Sequence, residues 1–148
     1  MNHLLEVAAV PVAVLQNRAD PLAPERSEVL ELCRKHEIQY QAFSVLGRQW
    51  VVGPWSAYWR GTHKKHPILD HPKVLDIADR LSSHSNIPIG PAQIILRWAL
   101  QRGWTVIPKT ATPARLESNR QLFHFSLTDE DMAILNHIQP PSPEKVEL

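Results

Sequence analysis

The sequence predicts an α/β fold built on parallel strands, and three observations carry that reading. Short apolar runs rich in β-branched residues lack clean alternation, the pattern of strands buried on both faces. Segments with helical periodicity alternate with those runs along the chain. The connections joining the first strand, helix and second strand are short, which suits a parallel βαβ unit. At 148 residues, 43% apolar and 21% charged, the chain has the size and composition of one globular domain.

Val10 to Leu15 is the first strand-like run. PERSEVLELCRKHE then offers a helix over residues 24–36, with Pro24 near its first position and Val29, Leu30, Leu32 and Cys33 on one side. The second strand is IQYQAF, Ile38 to Phe43. Residues 44–70 break the rhythm: Gly47, Gly53, Pro54, Gly61 and Pro67 are scattered among Trp50, Trp55, Tyr58 and Trp59. A connection this long is uncommon inside a compact domain and is often functional. Helical spacing returns over residues 71–84 with Val74, Leu75, Ile77, Ala78 and Leu81. Gly90 and Pro91 open another helix, AQIILRWALQR, which Gly103 ends. A third strand follows at residues 105–107. Thr128 supplies a hydroxyl N-cap for a last helix with three carboxylates in its first turn. The tail over residues 139–148 is Pro-rich, polar and expected to be disordered.

Bulk numbers narrow the function. A formal net charge of +1 gives no electrostatic reason to expect nucleic acid or an anionic membrane as partner. The lone Cys33 rules out an internal disulfide and a CxxC metal pair, which suits a reducing, cytoplasmic setting. The opening MNHLLEVAAVPVAVLQN is interrupted by Glu6 and Pro11 and lacks a basic start, so it reads neither as a signal peptide nor as a membrane span.

One stretch asks for chemistry. In VIPKTATPARLESN, residues 106–119, a strand ends in Pro108 and is followed by Lys109, two threonines and Arg115 at the start of a helix. Free N–H groups and the positive end of a helix dipole favour an anion there, with Lys and Arg adding charge and Thr adding directed donors. A capped, solvated turn explains the same residues. Three parallel strands, moreover, make a poor free-standing sheet, because both edges stay open and both faces need cover.

Quoted in order, VPVAVLQN (10–17), HEIQYQAFSVLG (36–47), PAQIILRWALQRGWTVIPKTATPARLESN (91–119) and FSLTDEDMAILNHI (125–138) resemble the C-terminal part of an aldo-keto reductase. MNHLLEVAAVP resembles the end of the helix before the sixth barrel strand. The resemblance implies a partial (β/α)8 TIM barrel, about its last three βα units, over residues 1–138. It also implies an NADP(H)-dependent oxidoreductase acting on small carbonyl compounds. Residue by residue, Lys109 and Arg115 match the cations that hold the adenosine 2′-phosphate, with Thr110 and Thr112 at the same end and Asn119 on the adenine. Ser118 stands where the family usually has Glu, with Glu117 displaced by one. Gln16 matches the residue that hydrogen-bonds the nicotinamide carboxamide, Phe43 the ring that stacks on the nicotinamide, and Ser44 and Leu46 the pyrophosphate loop.

The family's catalytic Asp, Tyr, Lys and His come from strands with no counterpart in this chain. Tyr40 and Tyr58 sit in unrelated positions, so no catalytic residue is assigned. The expectation is an enzyme fragment that keeps the cofactor side, inactive alone; the alternatives are a non-catalytic nucleotide-binding or interaction module and a subunit completed by a partner. Self-association through open strand edges is expected.

Other clusters weigh less. His63, His66 and His71 lack the three or four fixed ligands of a metal site and fit a solvated, lid-like loop better. Trp50, Trp55, Tyr58 and Trp59 suit either a pocket lining or loop packing. Cys33 reads as a buried structural thiol and Trp98 as packing.

Overall fold

Two helix ends set the architecture. Helices α1 (Asn2–Val7) and α2 (Ser27–Lys35) flank strand β1 (Val14–Arg18), and β2 (Gln39–Phe43) follows. At the end of α2 the chain turns through Glu37 at φ 55°, the Ile38 N–H donates to the Cys33 carbonyl at 2.8 Å, and the Glu37 N–H to Arg34 at 3.4 Å. These two bonds form a Schellman motif, with Ile38 and Cys33 as its buried apolar pair. Glutamate in a left-handed conformation is strained, a position where glycine is the common choice.

The computed structural model describes residues 2–47 and 66–139. Past the long connection come α3 (Pro72–Ser83), α4 (Pro91–Gln101), β3 (Thr105–Val106), α5 (Pro113–Arg120) and α6 (Asp129–Asn136). Helix α4 ends as α2 does: Gly103 sits at φ 77°, and the Trp104 N–H donates to the Ala99 carbonyl at 3.1 Å. Both motifs deliver the chain directly into the next strand.

The strands form one parallel sheet in the order β1-β2-β3. Register pairs Leu15 with Tyr40 and Asn17 with Ala42, and Ala42 with Val106. These residues share the face that the helices cover. Val14, Gln16, Arg18, Gln39, Gln41, Phe43 and Thr105 share the other, which no described element covers. On the covered side α4 packs on α3, α5 and β3, and Ile94, Ile95, Leu96, Trp98 and Ala99 are all fully buried. Apolar residues nearly all round α4 mark it as the core helix. Trp98 and Trp104 meet edge to face at 5.3 Å, and the Trp98 indole N–H donates to Asn136 Oδ1 at 2.9 Å.

Several boundaries differ from the sequence reading. The first strand lies at Val14–Arg18 rather than at Val10 to Leu15, and it is mostly exposed. Pro11 has no N–H for a ladder, and β1 is an edge strand with one bare face, so it is not buried on both. Helix α2 begins at Ser27, leaving Pro24 three residues outside it. Cys33 and Trp98 are buried as expected. Trp50, Trp55, Tyr58, Trp59 and His63, with residues 140–148 of the tail, lie outside the described residues. No helix among the described residues is long and apolar enough to cross a membrane.

The last helix is tied down by a capping box. The Asp131 N–H donates to Thr128 Oγ1 at 3.1 Å, and the Thr128 N–H donates to Asp131 Oδ2 at 3.0 Å. Arg80 of α3 donates to the other carboxylate oxygen, while the Asp131 side chain is 4% exposed. Burial opposes ionisation of Asp131, but the bonds from Arg80 and Thr128 outweigh it and hold its pKa below the usual value. Asp131→Ala is expected to lower folding stability by about 2 kcal/mol at neutral pH. The folded pKa lies below the unfolded value of about 3.9, so this contribution is complete above that value and is lost as pH falls through the folded pKa. Urea melts at about pH 7 and about pH 3 check it: the gap between wild type and variant should narrow in acid.

Candidate functional site

The three parallel strands end side by side, and the segments that leave them build a groove. At the end of β2, Phe43 passes to Ser44, which adopts φ 54°, and the Gly47 N–H closes a turn onto the Ser44 carbonyl at 2.8 Å. A non-glycine residue in the left-handed region is uncommon and clusters at functional sites. At the end of β3, Ile107, Pro108 and Lys109 run out toward α5. Together Phe43, Ser44, Val45, Leu46, His66, Leu69, Ile107, Pro108 and Lys109 line a groove of about 380 Å³. Ligands in α/β folds bind at the carboxyl ends of strands, where this groove lies.

Four of the residues picked out from the sequence therefore converge: Phe43, Ser44, Leu46 and Lys109. Phe43 is 37% exposed, a large ring left open at the mouth. The remaining five do not line the groove. Gln16 lies two strand positions before the end of β1, where its side-chain amide donates to Gln41 Oε1 at 2.7 Å on the bare sheet face. Thr110 Oγ1 accepts from the Thr112 N–H at 3.1 Å, shaping the turn into α5. Thr112 is the N-cap of α5 by backbone geometry but makes no capping bond with its hydroxyl. Arg115 projects exposed from the first turn of α5, and Asn119 is half-buried near its end. Glu117, the displaced acid, is held by Arg120 through two bonds of 2.6 and 2.7 Å.

The sequence reading missed His66 and Leu69 as parts of this wall. The sequence reading sets His66 in a solvated, lid-like loop rather than a metal site, yet its Nδ1 accepts from the N–H groups of Ile68 at 3.2 Å and Leu69 at 3.0 Å. Its own N–H donates to Asp70 Oδ2. Burial lowers the His66 pKa, opposed by the Asp70 charge. His71 does the same for α3, Nδ1 accepting from the Lys73 N–H at 3.2 Å, and burial lowers its pKa too. In each case a His-Pro pair places the ring where the proline leaves no N–H of its own. A reader of the sequence could have found that signal in HPILDHP.

A larger crevice of about 750 Å³ opens between α2 and the start of β3, lined by Cys33, Arg34, Tyr40, Arg102 and Trp104 among others. It lies at the opposite, N-terminal ends of the strands and contains none of the nine residues matched to the cofactor. Tyr40 faces this side. Its hydroxyl donates to Glu25 Oε2 at 3.0 Å, and burial followed by the Glu25 interaction drives its pKa well up. Cys33 is likewise pushed up, by burial and then by the Glu25 charge, and stays a neutral thiol.

A sequence profile of the aldo/keto reductase family matches residues 1–140. The chain belongs to the aldo/keto reductase family. Aldo-keto reductase family 1 member A1 of Gallus gallus is 35% identical over 134 residues, covering 90% of this chain and 36% of that protein. The Homo sapiens protein of the same name is 32% identical over 136 residues, covering 92% and 38%. Among solved structures, a mutant of Gox0644 in complex with NADPH superposes with a TM-score of 0.73 at 25% identity, over 97% of this chain and 44% of that one. The aldose reductase of Schistosoma japonicum gives 0.69 at 30% identity, over 91% and 36%. The chain thus spans less than half the length of these reductases. Its sheet and helices are part of a (β/α)8 barrel, as the sequence implied.

Proposed function

We propose that this chain is the NADP(H)-binding side of an aldo-keto reductase that reduces small carbonyl compounds, a side that keeps the nucleotide groove and lacks the proton-donating residues. The observation that carries the reading is the convergence of Phe43, Ser44, Leu46 and Lys109 on one groove at the carboxyl ends of β2 and β3. In this reading Lys109 and Arg115 hold the adenosine 2′-phosphate, with Thr110 and Thr112 beside them and Asn119 on the adenine. Two cations suit a phosphate dianion, and the first turn of α5 adds its dipole. Phe43 stacks on the nicotinamide and Gln16, braced by Gln41, meets its carboxamide. When bound, the dinucleotide supplies the hydride. The chain's own residues bind and orient it.

Carbonyl reduction also needs a proton at the oxygen that becomes the alcohol. Tyr40 is a poor donor for it. A hydroxyl facing a carboxylate, with a raised pKa, gives up its proton reluctantly, and the ring lies on the helix-covered face away from the groove. Tyr58 lies outside the described residues.

NADPH is expected to bind the chain about ten- to a hundredfold more tightly than NADH, a difference that Lys109→Ala or Arg115→Ala should largely remove. Fluorescence titration of the two reduced nucleotides decides it, and equal affinities would sink the 2′-phosphate assignment. A second reading, an interaction module that uses its sheet as the docking surface, is favoured by the bare face running through Gln16, Gln41 and Phe43. Light scattering and an aldehyde-reduction assay on one sample weigh the two. The expected result is a species larger than the 16.9 kDa monomer with no turnover. Turnover abolished by changing Tyr40 would show that the missing acid had been misidentified.

A further inference from the structure

The imidazole of His66 is held in one tautomer at the edge of the groove, with one function spent and one free. Pro67 has no N–H, so the turn that follows presents the N–H groups of Ile68 and Leu69, and both donate to Nδ1 at 3.2 and 3.0 Å. The Asp70 carboxylate takes the His66 N–H in return, an arrangement like a capping box that fixes the ring against the backbone. A nitrogen that accepts two hydrogen bonds carries no proton, so the proton of the neutral ring is on Nε2. Burial favours that neutral form. The ring lines the groove together with Ser44 and Leu46 and with Lys109, and among the described residues no group accepts from Nε2.

We infer that His66 is a positioning residue for the dinucleotide, its Nε2–H donating to a diphosphate oxygen in the groove between the Ser44–Leu46 turn and Lys109. This rests on the NADP(H) reading above and extends it to a side chain that the family motif does not mark. The residues around it divide the ligand sensibly. In that reading Lys109 meets the 2′-phosphate and the open ring of Phe43 takes the nicotinamide, and the diphosphate that joins the two halves of the dinucleotide needs neutral N–H donors as well as charge. The charged neighbours are Asp70, bound to the His66 backbone, and Lys109, which lines the same groove. Neither takes the Nε2 proton.

The competing role is purely structural, the ring serving only as the cap of the 67–70 turn. Two variants separate the roles. His66→Ala removes both cap and donor. His66→Asn keeps a side-chain oxygen for the cap, since asparagine is a good capping residue, but has no donor reaching as far as Nε2. The 148-residue chain is titrated with NADPH and, separately, with adenosine 2′-monophosphate, which carries the 2′-phosphate and no diphosphate. Both variants are expected to weaken NADPH binding about tenfold and to leave the monophosphate unchanged. Lys109→Ala should weaken both ligands. NADPH affinity restored to the wild-type value in His66→Asn, or retained in both variants, overturns the assignment, and so does equal weakening of the two ligands. If the variants behave so while Lys109→Ala still weakens NADPH, the NADP(H) reading stands without His66. If the wild-type chain binds neither nucleotide, that reading fails and this inference falls with it.

Discussion

The parallel ladder between β1, β2 and β3 is the constraint on which the rest depends. Its register sets Arg18 beside Phe43, and Ala42 beside Val106, so that the strand ends lie nearly level. Loops leaving level ends must share one space, and there the Ser44 turn meets the Ile107–Lys109 run. A shift of one residue would send every side chain to the opposite face and separate the groove walls. The register is held from outside the sheet. Schellman turns at Glu37 and Gly103 feed β2 and β3 from fixed points, each closed by a bond back to the preceding helix.

Among the described residues the sheet is covered on one side only, and its two faces differ in chemistry accordingly. Tyr40 and Ala42 lie buried on the helix side, where Trp98 and Trp104 fill the space. The bare side carries glutamines: Gln16 bonds Gln41, and the Gln39 amide donates to the Gly103 and Tyr40 carbonyls. Parallel sheets are normally enclosed on both faces. In a (β/α)8 barrel the second face is the interior, closed by the other strands. This face, with Phe43 open at its upper end, corresponds to the inside of such a barrel.

His66 and His71 illustrate how one local motif can serve two ends. Both follow the same rule, a ring nitrogen capping the first N–H groups that a proline leaves available. His71 starts α3 and is buried against the core, whereas His66 lies at the groove. Position in the fold separates the two caps: the His71 ring also bonds the Gln139 backbone, whereas the His66 ring lines the groove.

The order of elements and the family were legible in the sequence, because periodicity, capping residues and motif spacing are local properties. The run PKTATPARLESN and the N-cap Thr128 with its three following acids could be read without a fold. The start of β1 could not, since a strand edge is set by which partner residues supply the ladder, and Val10 carries the same local preference as Val14. Nor could the place of His66 at the groove be read. Its tautomer depends on backbone N–H groups two and three residues ahead, and its reach to the groove depends on packing beside residues twenty or more positions before it and more than forty after. Local chemistry named the residues, but only the tertiary contacts decided which of them share a groove, because hydrogen bonds and burial act across space and not along the chain.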